Sequence, residues 1–324
     1  MVGKLTPMTS LSCSRLPAVL GLSPYSTAND ELAKTVDALA GKAPAEWTPN
    51  ESADWGNRLE QVILDEVAKR LYLDTLLFPT EPFFAKEINL AASLDGIGHS
   101  LNAIRHSFAT DEEKGIYVMT PTGEITVSGP GVLESKLTSE SPEIEPAAHR
   151  GPIQLQGCMI CSGYTWGAIG VLYRGTELRV FVYPRDEDMC ARIAEAVDEF
   201  DKRKLGPDWY PPTSTADAAR VWQRVEEDAP PINLPQSAVE LIDEILVAKE
   251  VIKASEEIVD DRQAQLMEML GNHETGFATD SDGTQYRVRW PSRTYKAQPE
   301  KIVPAKEAYT IRLKSVDIKV VSNG

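Results

Sequence analysis

The sequence is poor in cysteine, in positive charge and in long apolar runs. Four cysteines in 324 residues are too few to staple a chain of this size. They argue against a disulfide scaffold and for a reducing, cytoplasmic setting. No window approaches the ~18 uncharged apolar residues of a membrane span, so no membrane partner is expected. The opening "MVGKLTPMTS" has no apolar core of the kind an export signal needs. Lysine and arginine number 33 against 49 aspartates and glutamates, a net charge of −16. Such a mean field repels nucleic acid. A protein of this charge would handle DNA through local basic patches or bound cations, and it is a poor candidate for a reader of DNA sequence.

What is present is periodic structure. Residues 11–41 read as two helices around the turn "SPYST", the second stopping at Gly41. Residues 51–73 carry Leu59, Val62, Ile63, Val67 and Leu71 at helical spacing. Residues 83–97 read as a strand ending in a turn, followed by a polar stretch and a hairpin through "TPTGE". Residues 131–138, "GVLESKLT", are a strand, and "GPIQLQGCMICSGY" is a helix. "AIGVLYRGTELRVFVYP" gives a β-hairpin about Arg174-Gly175, and "RDEDMCARIAEAVDEFDKRKL" a helix with acids first and bases last. The order implies an α/β core over residues 10–205, with helices flanking a small mixed sheet. Residues 206–235 are proline-rich and linker-like around one short helix. Residues 236–324 form a third segment: a helix to residue 270, ~50 Å long at 1.5 Å per residue, then a basic β segment.

Some polar residues sit awkwardly in these elements. Glu60 lies in an apolar helical stretch, Asp95 follows a strand in "SLDG", and Gln154 opens an apolar helix. Glu134 and Lys136 are two apart in a strand, so both side chains take one face. Singly, each has a plain reading: a helix-flank charge, a turn, a satisfied amide, a surface cross-pair. Together they form an ordered set of acid on helix, acid after strand, acid-x-lysine on the next strand and glutamine on the next helix. Hard cations such as Mg²⁺ take oxygen ligands, commonly carboxylates and water. Phosphodiester hydrolysis needs charge neutralised on phosphate and a water made nucleophilic, which bound metals provide. A lysine beside the metal can hold that water.

The stretches "LSCSRLPAVLGLSPYST", "WGNRLEQVIL", "SLDG", "VLESK", "IQLQGCMICSGYTW" and "LRVFVYPRDEDM" resemble the PD-(D/E)xK nuclease superfamily, and within it the YqaJ-type viral recombinase family of lambda-type exonucleases. The resemblance spans roughly residues 11–190. It implies a restriction-endonuclease-like core and a Mg²⁺-dependent (Mn²⁺ as a substitute), processive 5′-to-3′ exonuclease on linear double-stranded DNA. The product would be a 3′ single strand for a partner annealing protein, and the enzyme a homo-oligomeric ring in a phage or prophage setting. By position, Asp95 and Glu134 resemble the metal ligands, with the Ser135 carbonyl as a third. Lys136 resembles the catalytic lysine, Glu60 the helix acid near the metals and Gln154 the supporting glutamine. Ser14 and Ser93 match serines that contact the terminal 5′ phosphate. No arginine precedes "LSCS", so Arg15 or Lys4 stands in for the family's phosphate-binding arginine. The segment between Asp95 and Glu134 is longer than the family's shortest hairpins, and residues 236–324 lie outside the resemblance.

Two other readings are compatible with the residues. One is a non-catalytic DNA-end or annealase-binding protein on a nuclease fold. The other is an iron–sulfur relative using Cys13, Cys158, Cys161 and Cys190, against the plainer reading of these as buried core thiols. The C-terminal segment has a charge of its own: from Arg287 to Lys319 there are nine basic residues and three acids, with Trp290, Tyr295 and Tyr309 among them. Such a mixture suits a single-stranded product. Deleting residues 285–324 should therefore lower DNA affinity and flatten its dependence on salt. An unchanged salt slope in the folded, truncated protein would show that the segment does not touch DNA.

Overall fold

The computed structural model describes residues 6–42, 51–99, 106–206, 208–222 and 230–291. Lys4 and the basic residues beyond position 291 lie outside them. The chain divides into two compact units, residues 1–222 and 223–324.

The first unit opens with β1 (Leu11–Ser12), a 3₁₀ turn and the short helix α1 (Leu16–Val19). The helices α2 (Ala28–Leu39) and α3 (Glu51–Arg70) follow. Next come short strands: β2 (Thr75–Leu77), β3 (Phe83–Phe84), β4 (Leu90–Ala92), β5 (Gly96–His99), β6 (His106–Ala109), β7 (Ile116–Val118) and β8 (Glu124–Val127). The long strand β9 (Gly131–Thr138), helix α4 (Pro152–Ser162), strands β10 (Trp166–Tyr173) and β11 (Glu177–Pro184), and helices α5 (Glu187–Leu205) and α6 (Thr215–Val221) complete it. The second unit contains α7 (Ser237–Leu270) and an antiparallel hairpin of β12 (Thr275–Thr279) and β13 (Gln285–Arg289).

Six strands form the central mixed sheet in the order β2-β5-β9-β10-β11-β7. β9 and β10 run parallel through seven paired positions, because the connection between them is the crossover helix α4. β10 returns antiparallel to β11 through a tight turn in which Arg174 (φ 52°) and Gly175 (φ 73°) both take the left-handed conformation. Strand alternation sorts the side chains of β9 between two cores. Leu133 joins Trp166, Ala168 and Val180 against Ile63, Leu64 and Val67 of α3. Val132 joins Ile169, Val171 and Phe181 against α4 and α5 through Leu155, Met159, Ile193 and Phe200. The sheet is thus covered on both faces. Gly170 sets the closeness of α3: a Cβ there would lie 2.4 Å from Val67 Cγ2 and 2.9 Å from Ile63 Cγ2.

The structure departs from the sequence reading in several places. Residues 11–19 are a two-residue strand, a 3₁₀ turn and one α-helical turn rather than a single helix, because Leu11 and Ser12 are drawn into a parallel ladder with Leu90 and Ala91. Residues 83–97 split among β3, β4 and the start of β5, with Asp95 at the last junction. The turn at "TPTGE" joins β7 and β8, which pair with different partners, β11 and β6. On α3 it is Leu64 that is buried, while Val62 is 61% exposed, one step outside the buried stripe. Residues 208–222 are part of the first unit: buried Asp217 accepts from Thr27 Oγ1 (3.0 Å) and from Asn29 Nδ2 (3.1 Å).

A Gly170→Ala substitution should cost about 1–3 kcal/mol through overpacking, read as a lower urea midpoint. An unchanged midpoint would show that α3 can retreat from the sheet freely.

Candidate functional site

The site forms where a ladder stops. β5 runs antiparallel to β9 with Gly98 opposite Gly131, Ile97 opposite Val132 and Gly96 opposite Leu133. The next pair in that register would be Asp95 and Glu134. At that level the chain leaves the sheet towards β4, and the two acids face each other at the end of the ladder. The amide of Ser135, without a strand partner on that side, donates to Asp95 Oδ2 at 3.0 Å. A strand residue's N–H and C=O face the same edge, so the Ser135 carbonyl is on the Asp95 side as well.

Glu134 is 1% exposed, on the sheet face that otherwise carries Val132 and Ile169. One of its oxygens is held twice. Lys136 Nζ donates to Glu134 Oε1 at 2.7 Å, and Gln154 Nε2 donates to the same oxygen at 2.6 Å. Lys136 Nζ also donates to Gln154 Oε1 at 3.1 Å, closing a three-membered network. The spacing in sequence explains it: positions 134 and 136 share a strand face, and Gln154 on the first turn of α4 overlies that face. The other oxygen, Glu134 Oε2, is buried with no hydrogen-bond partner. Burial, and after it the Asp95 carboxylate, push the Glu134 carboxyl up to about 8, and the neighbouring Lys136 offsets this only in part. For Lys136, burial works to lower the ammonium's pKa but is outweighed by Glu134 and Asp95, so its charged form is favoured.

These groups open into a polar cavity of about 540 Å³. Its wall includes Ser14, Glu60, Ser93, Asp95, Glu134, Lys136 and Gln154. The two serines arrive together because β1 and β4 are parallel neighbours, so the segments leaving them run side by side. Gly157 lets the β1 turn lie directly on α4, since a Cβ there would meet Leu16 Cδ1 at 2.5 Å. Arg15 is placed elsewhere. Its guanidinium binds Glu31 Oε2 and Thr35 Oγ1, both at 2.7 Å, and it lies over the Phe200 ring. It fastens α2 to the α1 region and is absent from the cavity wall.

Residues not singled out in the sequence also line the cavity: Thr6, Ser12, Asn57, Arg58 and Gln61. Asn57, Glu60 and Gln61 follow an i, i+3, i+4 spacing on α3, a signal that was available once Glu60 was chosen. Arg58 stands on the wall with its side chain 64% exposed, paired with Asp54 at 2.7 Å and lying over Trp55. It supplies the wall with an exposed cation that Arg15 does not.

Among the described residues, no three His, Cys, Asp or Glu side chains gather as a metal-binding group. Mg²⁺ asks for less, since one or two carboxylates with water commonly suffice. Asp95, Glu134 and the Ser135 carbonyl fit that demand, and the unpartnered Glu134 Oε2 is the observation that supports it. The four cysteines are buried free thiols. Cys13 Sγ lies 3.8 Å from Cys161 Sγ, whereas Cys190 faces Gln156 Oε1 at 3.9 Å. They do not converge as one set of four.

No protein-family model matches the chain, and no curated protein matches its sequence. Among solved structures, it is similar to the alkaline exonuclease LHK-Exo from Laribacter hongkongensis in complex with dAMP. That match has 14% identity and a TM-score of 0.44, over 61% of this chain and 89% of that one. It is also similar to a phage-related exonuclease from Haemophilus somnus 129PT, at 14% identity and a TM-score of 0.40, over 60% and 93%. These are distant likenesses, and the chemistry rests on this chain's own residues.

The unpartnered, buried Glu134 has a consequence for stability. Glu134→Gln should make the metal-free protein about 0.5–2 kcal/mol more stable, the usual gain when a strained functional group is relieved. A lower melting temperature in chelator would contradict the strain assigned to Glu134.

Proposed function

We propose that the first unit is a metal-dependent deoxyribonuclease, an exonuclease that acts 5′-to-3′ on the ends of linear double-stranded DNA. The observation that carries the reading is the convergence of Asp95, Glu134, Lys136 and Gln154 on one polar cavity, with a buried carboxylate oxygen left unpartnered. Asp95, Glu134 and the Ser135 carbonyl would hold Mg²⁺, or Mn²⁺ in its place. When bound, the cation would neutralise phosphate charge and make water a stronger nucleophile at neutral pH. Lys136, charged and turned into the cavity, holds and orients the attacking water beside Glu134. Gln154 keeps both groups in place, donating to one and accepting from the other. Glu60 adds negative charge on the α3 side of the wall, which favours cations over free phosphate. Arg58, Ser14 and Ser93 are the groups suited to phosphate oxygens. The product, a 3′ single strand, would pass to an annealing protein in recombination.

The test is an end-labelled linear duplex with Mg²⁺, compared with a closed circle, with chelator present, and with 5′ phosphate against 5′ hydroxyl ends. Digestion should need both an end and the metal. Cleavage of the closed circle would refute an exonuclease, and no digestion of any substrate would favour a non-catalytic DNA-end protein. Lys136→Ala and Glu134→Gln should each reduce hydrolysis by at least about 10²-fold. In metal calorimetry only Glu134→Gln should lose affinity, since Lys136 is no ligand. Equal metal affinity in the two variants would refute these roles.

A further inference from the structure

The turn "SPYST" between α1 and α2 carries an aromatic side chain that belongs to neither core. Tyr25 is 82% exposed, yet its backbone is tied down on both sides. Its amide donates to Ser23 Oγ at 3.2 Å. Two residues on, Thr27 caps α2: its Oγ1 accepts from the amide of Asp30 at 3.1 Å, and its own amide donates to Asp30 Oδ2 at 2.9 Å. His149 meets the Tyr25 ring edge to face, with centroids 5.6 Å apart and planes at 78°. His149 is half-buried in the 3₁₀ turn Ala148–Arg150, which leads directly into α4 and so to Gln154. A solvent-open ring is thus held by a second ring at the foot of the helix that carries the site's glutamine.

Tyr25 and His149 border a second cavity of about 330 Å³, within the ~300–1,000 Å³ of small-ligand sites. Ser14 lines both this cavity and the candidate site, so the two adjoin. The sign of its charge is opposite to that of the chain. Arg15 and Lys34 stand against Glu31 alone, two cations to one acid, in a protein of net −16. Glu31 is satisfied on both oxygens, by Lys34 Nζ at 2.6 Å and by Arg15 Nε at 2.7 Å. An ammonium has three N–H donors, and Lys34, its side chain 51% exposed, keeps donors for an anion. We infer that this second cavity receives the nucleobase next to the phosphate bound in the candidate site, stacked on Tyr25, with Lys34 on the adjacent backbone phosphate. The inference rests on the nuclease reading above, because a phosphodiester carries a base one sugar away, within reach of an adjoining cavity. Stacking on an aromatic face suits any base but needs a base whose own face is free. The DNA end is therefore unpaired where it enters. His149 is a positioning residue, which sets the tilt of the Tyr25 ring and touches that ring rather than the base.

The test is fluorescence anisotropy of the full chain with a labelled duplex in chelator, where hydrolysis does not interfere. The labelled end carries mismatched pairs, or abasic residues in place of the same unpaired bases. The wild type should bind the base-bearing end at least about 5-fold more tightly, the lower range for stacking one base. Tyr25→Ala should lose that preference and Tyr25→Trp keep it. His149→Ala should weaken it and His149→Phe restore it. Neither side chain belongs to either core, so each variant should melt as the wild type does. Equal affinity for the base-bearing and abasic ends would overturn the inference, as would a preference that survives Tyr25→Ala. Digestion in Mg²⁺ separates this inference from the reading it rests on. Tyr25→Ala should raise KM more than it lowers kcat, the mark of lost ground-state binding. A base preference without any digestion would overturn the nuclease reading and keep the stacking on Tyr25. Digestion with KM unmoved by Tyr25→Ala would overturn the base subsite and keep the nuclease.

Discussion

The structure of the first unit turns on one unfavourable arrangement: two carboxylates meeting where a β-ladder ends, one of them sealed in the sheet. Like charges opposite each other on a sheet repel, and a buried acid without full hydrogen bonding costs several kcal/mol by the usual reckoning. Glu134 is nevertheless placed on the central strand, with Val132 and Ile169 as its apolar company. The fold tolerates this because everything around it is over-determined. β9 is locked by seven parallel pairs to β10, α4 is laid across its face, and α3 is pressed against the reverse side through Gly170.

This arrangement explains the division of labour among neighbours. Lys136 and Gln154 saturate one Glu134 oxygen and leave the other bare. Had the network served only to pair a buried charge, both oxygens would be expected to have donors, as buried polar groups generally do. Instead the donors lie on one side, and the bare oxygen, Asp95 and the Ser135 carbonyl lie towards the other. Because each is an acceptor, a positive ion would satisfy all three at once, as hydrogen-bond donors would. The same argument disfavours an anion at that point, and leaves Arg58 and the two serines as the parts of the wall that an anion could approach.

The core of this site was legible in sequence for a simple reason. A spacing of two on a strand fixes a shared face, whatever else the fold does, so Glu134 and Lys136 could be joined before any coordinates. Gln154 and Glu60 followed from helix placement, and Asp95 from the turn that ends β4. What was not legible depends on distant pairing. The Leu11–Ser12 strand exists only because Leu90 and Ala91, far along the chain, lie beside it, and helical spacing in "LSCSRLPAVLGL" gave no sign of it. The same non-local packing removes Arg15 from the cavity: its neighbour in sequence, Ser14, faces the site, while the guanidinium is taken by Glu31 and Thr35 of α2. Residue type alone does not separate those two fates.

The acidity of the chain then acquires a physical sense. A net charge of −16 opposes any approach of DNA at long range, over about a Debye length of 8–10 Å at ordinary salt. Within the cavity, three acids (Glu60, Asp95 and Glu134) stand against two cations (Lys136 and Arg58). With the Glu134 carboxyl pushed up to about 8, the metal-free cavity is close to neutral at pH 7. A divalent cation bound beside Asp95 and Glu134 would make that balance positive. On the proposed reading the protein would bind cation first and phosphate second, with Arg58, Ser14 and Ser93 as the cavity's own phosphate contacts. Strong negative charge outside such a site would confine the attachment of an anion to the place where the cation sits.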